Sequence, residues 1–497
     1  MRARMRLFSG AGFALFVAIA LIAATAQPGA SAPSRAARPN VPSGFTDTAV
    51  FTGLTLPTAV AFAPNGRIFV SEKSGDIVVY DNASDTTPTL WVDLRRQTFD
   101  NYDRGLLGLA VDPQLGTAGH DFVYALYTVD AGPGQTAPIW HDHCVQTKIT
   151  INGCVVTGTL VRIAVNPDGS AGRKKILINQ QWCQQFTSHS IGHLAFGPDG
   201  DLYVSGGEGA SYTDQDFGQL GGTGKNPQAP VNACGDPPNP AGTPDQSPTA
   251  EGGSLRSQSP RRPAGQPVLL SGSVLRVNPL TGAGVKGNPM FDKNDKSSNA
   301  SRIIAYGFRN PFRFNFRPGT NELWVSEAGA GTWEEIDRVM APTTKPAPDY
   351  GWPCYEGDAV HGGFTGLNMC QSLYNDTTSP AVPPYYQYSH GSKLGPHDAC
   401  ATQKGSSVIS GVDFTALNAS YPASYQGAVF FSDYVRGCMW VMFKGANGLP
   451  DSSTLQTFVH NAAGFGPVDI ENDPATGNMW YVNLADGSVH RVTYTGP

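Results

Sequence analysis

The stretch Trp182–Gly209 reads W-C-Q-Q-F-T-S-H-S-I-G-H-L-A-F-G-P-D-G-D-L-Y-V-S-G-G-E-G. Apolar side chains alternate at Leu194 and Phe196 and again at Leu202 and Val204, with Pro198-Asp199-Gly200 between the two runs. Period-two alternation broken by a P-D-G turn predicts a strand, a tight turn and a second strand. His189 stands just upstream, between Ser188 and Ser190.

The same grammar returns along the chain. It appears as A-F-A-P-N-G-R-I-F-V-S from Ala61, L-A-V-D-P from Leu109, F-N-F-R-P-G-T-N-E-L-W-V-S-E from Phe314 and I-E-N-D-P-A-T-G-N-M-W-Y-V from Ile470. A looser copy joins G-V-D-F from Gly411 to Y-P-A-S-Y-Q-G-A-V-F-F-S-D from Tyr421. With the opening stretch these make six copies, which predicts an all-β fold, a six-bladed β-propeller. A ring closes best when both chain ends share one blade, so the segment Phe45–Phe51 is expected beside the C-terminal strand that begins near Gly487. Fifty-eight glycines and thirty-nine prolines in 497 residues suit many short strands joined by turns. The copies are unevenly spaced, and the excess falls in three long insertions, at about 130–185, 210–268 and 340–405. The middle one is too rich in Gly and Pro to build a core and reads as a surface loop held through Cys234. Long loops of this kind crowd one face of a propeller and can shape a pocket there.

The N-terminus carries Arg2, Arg4 and Arg6, an apolar run from about Phe13 to Ala24, and small residues at Ala24-Thr25-Ala26 and Ala30-Ser31-Ala32. This pattern predicts a signal peptide over 1–32, cleaved after Ala26 or Ala32, then a linker over 33–44 and the propeller over 45–497. The apolar run is shorter than the ~20 residues that span a bilayer, and no later segment is apolar enough to span. The expected location is secreted, extracellular or periplasmic. Eight cysteines, an even number with no C-x-x-C pair, then point to disulfides and away from a zinc ribbon. Cys144 with Cys154 and Cys354 with Cys370 are the expected local pairs; the pairing of Cys183, Cys234, Cys400 and Cys438 stays open. A net charge of −6 with 15% charged residues gives no basic surface for nucleic acid or anionic lipid. Partners should be small or neutral.

Three groups of residues could carry chemistry. His189 has the intrinsic pKa of a general base, with a structural, hydrogen-bonded histidine as the plain alternative. His193 is expected at the edge of the strand from Leu194, without a role. In A-Y-G-F-R-N-P-F-R-F-N-F-R-P-G, Arg309 precedes Asn310-Pro311 and so sits on a bend, where its planar guanidinium could clamp a carboxylate or carbonyl oxygen or could stack on aromatic neighbours. Arg313 and Arg317 follow it. In S-E-A-G-A-G-T-W-E-E-I-D, from Ser326 to Asp337, the glycines do not open a helix, so a dinucleotide fingerprint is excluded. A turn there beside Glu334, Glu335 and Asp337 could hold a hard cation such as calcium or could be an ordinary acidic turn, as could Glu208, Asp214 and Asp216. His141-Asp142-His143 lacks a helical ligand frame.

Six segments together resemble the glucose/sorbosone dehydrogenase family, six-bladed propellers that include soluble aldose dehydrogenases dependent on pyrroloquinoline quinone (PQQ). They are D-R-G-L-L-G-L-A-V-D-P from Asp103, S-H-S-I-G-H-L-A-F-G-P-D-G-D-L-Y-V from Ser188, S-G-S-V-L-R-V-N-P from Ser271, G-F-R-N-P-F-R from Gly307, the Ser326–Asp337 segment and Y-G-W-P from Tyr350. The resemblance implies that His189 is the base taking the proton of a sugar's anomeric hydroxyl, and that Arg309 lies over the reacting centre. It implies cofactor contacts at Asp103, Arg309 and Asn310, and calcium (Ca2+) on the backbone carbonyls of Gly329 and Ala330.

The chain also departs from that pattern. Asp103 stands where the family's glucose dehydrogenases have glutamine, Val435 with Arg436 beside it stands where they have lysine, and G-P-V-D from Gly466 replaces an R-x-R pair. The expected function is a PQQ-dependent sugar dehydrogenase serving a small-molecule sugar and an electron acceptor. The alternatives are a non-catalytic propeller that binds carbohydrate or another extracellular ligand, and a metal-dependent hydrolase of lactonase type.

Overall fold

A computed structural model describes residues 40–137, 149–222, 229–340, 342, 345–401, 407–460 and 465–496. The predicted signal peptide, most of the predicted linker, Cys144 and the run His141-Asp142-His143 lie outside the described residues.

Six four-stranded antiparallel sheets form the blades of a propeller. Their innermost strands are Pro57–Phe62, Leu106–Val111, Ile191–Phe196, Pro311–Phe316, Ile409–Phe414 and Pro467–Asn472. Each touches the next in chain order and the last touches the first, so the ring is closed. Every predicted copy supplies the two inner strands of one blade. Phe45–Phe51 pairs with Ser488–Tyr494, in register from Phe45 opposite Tyr494, and completes the sixth blade as expected. Asn40 already bridges His460, so the last residues of the predicted linker lie against the ring.

One irregularity repeats in all six blades. The register between first and second strand shifts near the start of the first strand, between Pro57 and Ala59, Leu106 and Gly108, Ile191 and Leu194, Pro311 and Arg313, Ile409 and Gly411, and Pro467 and Asp469. A bulge bends its strand and leaves an amide without a ladder partner. In four blades a serine of the second strand stands opposite. Ser205 Oγ accepts from the amide of His193 at 3.0 Å, and Ser326 Oγ from that of Arg313 at 3.2 Å. Ser71 bonds Thr58 and Ser432 bonds Ser410 in the same place. The V-S ending shared by several copies therefore serves the bulge rather than a turn.

Two of the three insertions are shorter than the sequence suggested. The segment 130–185 contains Val156–Val165 and Ala171–Gln184, the two outer strands of the second blade. Their charged, half-exposed outer residues obscure the alternation that marks the inner strands. The segment 340–405 contributes Tyr386–Ser389, the outer strand of the fourth blade, after a small hairpin and the helix Asn368–Tyr374. Among its described residues the segment 210–268 is a loop as expected, apart from the 3-10 helix Gly253–Arg261. His193 is likewise not at a strand edge: its strand begins at Ile191 and the residue is buried.

Disulfides Cys183–Cys234, Cys354–Cys370 and Cys400–Cys438 are formed, and no described cysteine is free. Cys354–Cys370 is the expected local pair; Cys154 is also disulfide-bonded. Cys183–Cys234 ties the long loop to the second blade across a sequence separation of 51. By chain entropy a cross-link of that span is worth about 4 kcal/mol. The double variant Cys183→Ala/Cys234→Ala is expected to lose roughly that amount in equilibrium urea unfolding, while thiol titration of the denatured, unreduced wild-type chain finds no free thiol.

Candidate active site

The site is built where innermost strands begin. His189 precedes the first strand of the third blade, and Glu208 follows the second strand, Leu202–Gly206, of the same blade. Arg309 and Asn310 precede the first strand of the fourth blade, and Ala328 and Gly329 follow its second, Leu323–Glu327. First-strand starts and second-strand ends share one face, and there Arg309 lies next to both His189 and Gly329.

Backbone bonds lock them in place. The amide of Glu208 donates to the carbonyl of Arg309 at 2.9 Å, and that of Gly209 to the carbonyl of His189 at 2.9 Å. Gly207 must be glycine, because a Cβ there would lie 2.4 Å from the His189 carbonyl oxygen. His189 itself has a φ of 52°, in the left-handed region that histidine adopts more readily than most residues.

The imidazole is 3% exposed and its Nδ1 lies 2.8 Å from Glu208 Oε1. Trp352 Nε1 donates to the other carboxylate oxygen, Oε2. Burial, then the Arg309 guanidinium, holds the imidazole well below the ordinary histidine value, against the pull of Asp103. Burial also pushes Glu208 up to about 7, opposed by Arg309 and the Trp352 N–H. Above that pH the carboxylate is ionised, so Nδ1 carries the proton and donates to it. Nε2 then holds a lone pair and makes no hydrogen bond among the described residues. That is the arrangement of a positioned general base.

Arg309 is 6% exposed, with its guanidinium 5.4 Å from the centre of the Trp352 ring. Nη1 donates to the carbonyls of Ala328, at 3.1 Å, and Gly329. Its amide donates to Glu327 Oε1, and that of Asn310 to the same oxygen at 3.3 Å. Asn310 Oδ1 is buried without a hydrogen-bond partner. Asp103 accepts from Ser188 Oγ at 2.5 Å, which brings it next to His189. The amide of Ala330 is held by Glu356 Oε1 at 3.0 Å, together with the amides of Gly331, Thr332 and Trp333.

Glu334, Glu335 and Asp337 do not form the acidic turn considered from sequence. Trp333–Val339 is the third strand of the fourth blade; Glu334 faces His390 Nε2 at 2.7 Å, and Glu335 accepts from Gly357 N at 2.6 Å. Arg313 lies inside the ring, and Arg317 pairs with Glu322 away from the site. In the sequence Glu208 reads as an acid that could hold a cation or could be ordinary, and neither Glu327 nor Trp352 carries a signal of its own. The glycines flanking Glu208 in S-G-G-E-G were the available signal: they let the backbones of His189 and Arg309 close on the segment that carries it.

The sequence profile of the glucose/sorbosone dehydrogenase family matches residues 54–235 and 253–412. The chain belongs to this family. It is 24% identical over 262 residues to the HIPL2 protein of Arabidopsis thaliana, covering 51% of this chain and 30% of that protein, and 23% identical over 329 residues to the HIPL1 protein of the same plant, covering 61% and 40%. The match thus spans well under half of either plant protein. Among solved structures it is similar to the PQQ-bound aldose sugar dehydrogenase of Streptomyces coelicolor, with a TM-score of 0.53 and 19% identity over 92% of this chain and all of that one. The apo aldose sugar dehydrogenase of Escherichia coli gives 0.55 and 14%, over 91% of this chain and all of that one. At these identities the structural likeness shows the glucose/sorbosone dehydrogenase fold alone.

The residues present fit a quinone unevenly. Arg309, whose charge acts on His189, and the orphaned Oδ1 of the next residue, Asn310, offer a donor and an acceptor to the reacting end of such a group. The anionic end is not matched: Asp103 is itself an acid, and Arg436 is turned inward onto Ser407 Oγ at 2.6 Å and the carbonyls of Ser389 and Ser392 at 2.6 and 2.8 Å. The carbonyl of Gly329 already serves Arg309, so a cation placed there competes with a guanidinium.

Because Glu208 and His189 share one proton, the pair is expected to take one up as pH falls through about 7. In spectra of protein carrying 15N-histidine, the His189 resonances should report the Nδ1–H tautomer above pH 7 and change below it. Glu208→Gln removes the step; a step that persists in that variant refutes the coupling.

Proposed function

We propose that this member of the family is an exported sugar dehydrogenase in which His189 accepts the proton of an aldose's anomeric hydroxyl. The observation that carries the reading is the His189–Glu208–Trp352 arrangement, which leaves Nε2 as a lone-pair acceptor beside Arg309. Glu208 fixes the tautomer and stabilises the imidazolium once the proton arrives; Arg309 aims positive charge at oxygen on the other side of the reacting centre. PQQ, the expected hydride acceptor, would be a two-electron oxidant when bound, with Arg309 and Asn310 as the residues that would hold its reacting end and Asp103 as a mismatch. Calcium would take the carbonyls of Gly329 and Ala330. Three disulfides suit an oxidising compartment, and no described helix is long and apolar enough to cross a membrane.

A second reading, a propeller that binds carbohydrate without turning it over, is favoured by the unmatched anionic end of the quinone. Loss of several charge-assisted hydrogen bonds, roughly 1.5–3 kcal/mol each, would weaken cofactor binding by orders of magnitude. Purified protein given calcium and PQQ is expected to reduce an artificial acceptor with an aldose, and His189→Ala to lower that rate about 100- to 10,000-fold. Titration calorimetry should show saturable, calcium-dependent PQQ binding that Arg309→Ala weakens. Absence of binding at high micromolar PQQ would leave the carbohydrate-binding propeller.

A further inference from the structure

The innermost strands touch one another in a closed ring, and the six bulges set which of their side chains meet inside it. The residues that stand at these bulges on the six first strands are Ala59, Gly108, His193, Arg313, Gly411 and Asp469. The first, second and fifth blades thus contribute small residues, while the third, fourth and sixth place ionisable groups in contact. His193 Nδ1 lies 4.0 Å from Asp469 Oδ1, and His193 Nε2 lies 3.3 Å from Glu471 Oε1, two residues further along the sixth blade's strand.

His193 is 1% exposed, yet neither ring nitrogen has a partner in hydrogen-bonding geometry. A buried imidazole aimed at two carboxylates without bonding either is costly unless a further group lies between them. One ligand atom from each of His193, Asp469 and Glu471 can be chosen so that all three lie within 4.8 Å of one another. Donors bound at about 2.0–2.2 Å around a tetrahedral ion stand roughly 3.3–3.6 Å apart, close to the shorter contact here. Arg313 Nε meets Asp469 Oδ1 at 3.0 Å and the amide of Val60 meets Oδ2 at 3.1 Å, so Asp469 is oriented by the fourth and first blades and retains free lone pairs. Asp413 of the fifth blade adds a third carboxylate near Glu471. The Glu471 side chain is 23% exposed, while His193 and Asp469 are buried.

We propose that His193, Asp469 and Glu471 form a site for a divalent transition-metal cation of the zinc type on the propeller axis, separate from the catalytic face. A mixed set of one imidazole and two carboxylates favours such an ion over calcium, which prefers an all-oxygen shell. The third and sixth blades lie opposite each other in the ring, and the sixth is the one assembled from both chain ends. An ion held between them braces the closing blade across the ring.

The test uses the full-length protein, stripped by chelator and dialysed against Zn2+ without quinone. Wild type is expected to retain one more equivalent of zinc than His193→Ala, and Glu471→Gln to weaken uptake at least about 10-fold. Zn2+ should raise the unfolding midpoint of wild type and not that of His193→Ala. Glu471→Gln, at a partly exposed position and nearly unchanged in shape, keeps the test open should His193→Ala fail to fold. Equal zinc content in wild type and both variants, no uptake by wild type, or displacement of the zinc by an equal concentration of Ca2+ overturns the proposal.

Discussion

The ladder between Phe45–Phe51 and Ser488–Tyr494 is the constraint on which everything else hangs. It joins residues more than four hundred positions apart, and Asp47 reinforces it by meeting His490 Nδ1 at 2.6 Å and the Tyr481 hydroxyl at 2.5 Å. Closing so long a loop costs chain entropy, but cost grows only with the logarithm of length, whereas closure removes two sheet edges and completes a packed core between neighbouring blades. Phe45 alone packs edge-on to Tyr421, Tyr425 and Phe458, so the N-terminal strand is held by the fifth blade as well as the sixth. Without this closure the sixth blade would lack its fourth strand, and the contact between the innermost strands of the sixth and first blades would lose the tie between the chain ends.

The bulges convert this regular ring into an irregular interior. A strict ladder would send alternate side chains into the ring in the same phase in every blade, and a six-fold ring of like residues would either clash or leave a void. Shifting the register at the top of each first strand, and filling the gap with a serine hydroxyl in four blades, frees each blade to present what its neighbours need. Gly192 shows how tight the result is: a Cβ there would lie 2.3 Å from Ser205 Oγ and 2.6 Å from the carbonyl oxygen of Pro311 in the next blade. That contact sits one turn of chain from His189 and fixes the distance between the two blades that carry the site.

What could be read from sequence follows from the physics of each feature. Inner strands are legible because they are buried on both sides and bounded by turns, so six copies gave six blades and the closing strand. Outer strands such as Ala171–Gln184 carry exposed Arg173 and Lys175 on either side of half-buried Lys174, which erases the alternation and made them look like insertion. His189 and Arg309 could be found because each stands directly beside a strand start with a distinctive neighbour, glycine or proline. Glu208 and His193 could not be given their places, since their meaning depends on partners more than a hundred residues away: Trp352 for one, Asp469 and Glu471 for the other.

That dependence makes the segment 340–405 more than a connection. Trp352 reaches the site from this excursion, two residues before Cys354, whose disulfide to Cys370 anchors the segment to its own short helix. Its indole touches the site twice, donating to Glu208 Oε2 and lying against the Arg309 guanidinium. Ionised Glu208 sets the tautomer of His189, and a donor on its second oxygen favours the ionised form. The loop therefore bears on the proton affinity of a histidine supplied by the third blade, while its ring limits where the arginine of the fourth can swing. Changes in this one excursion would retune both groups together without altering a blade strand.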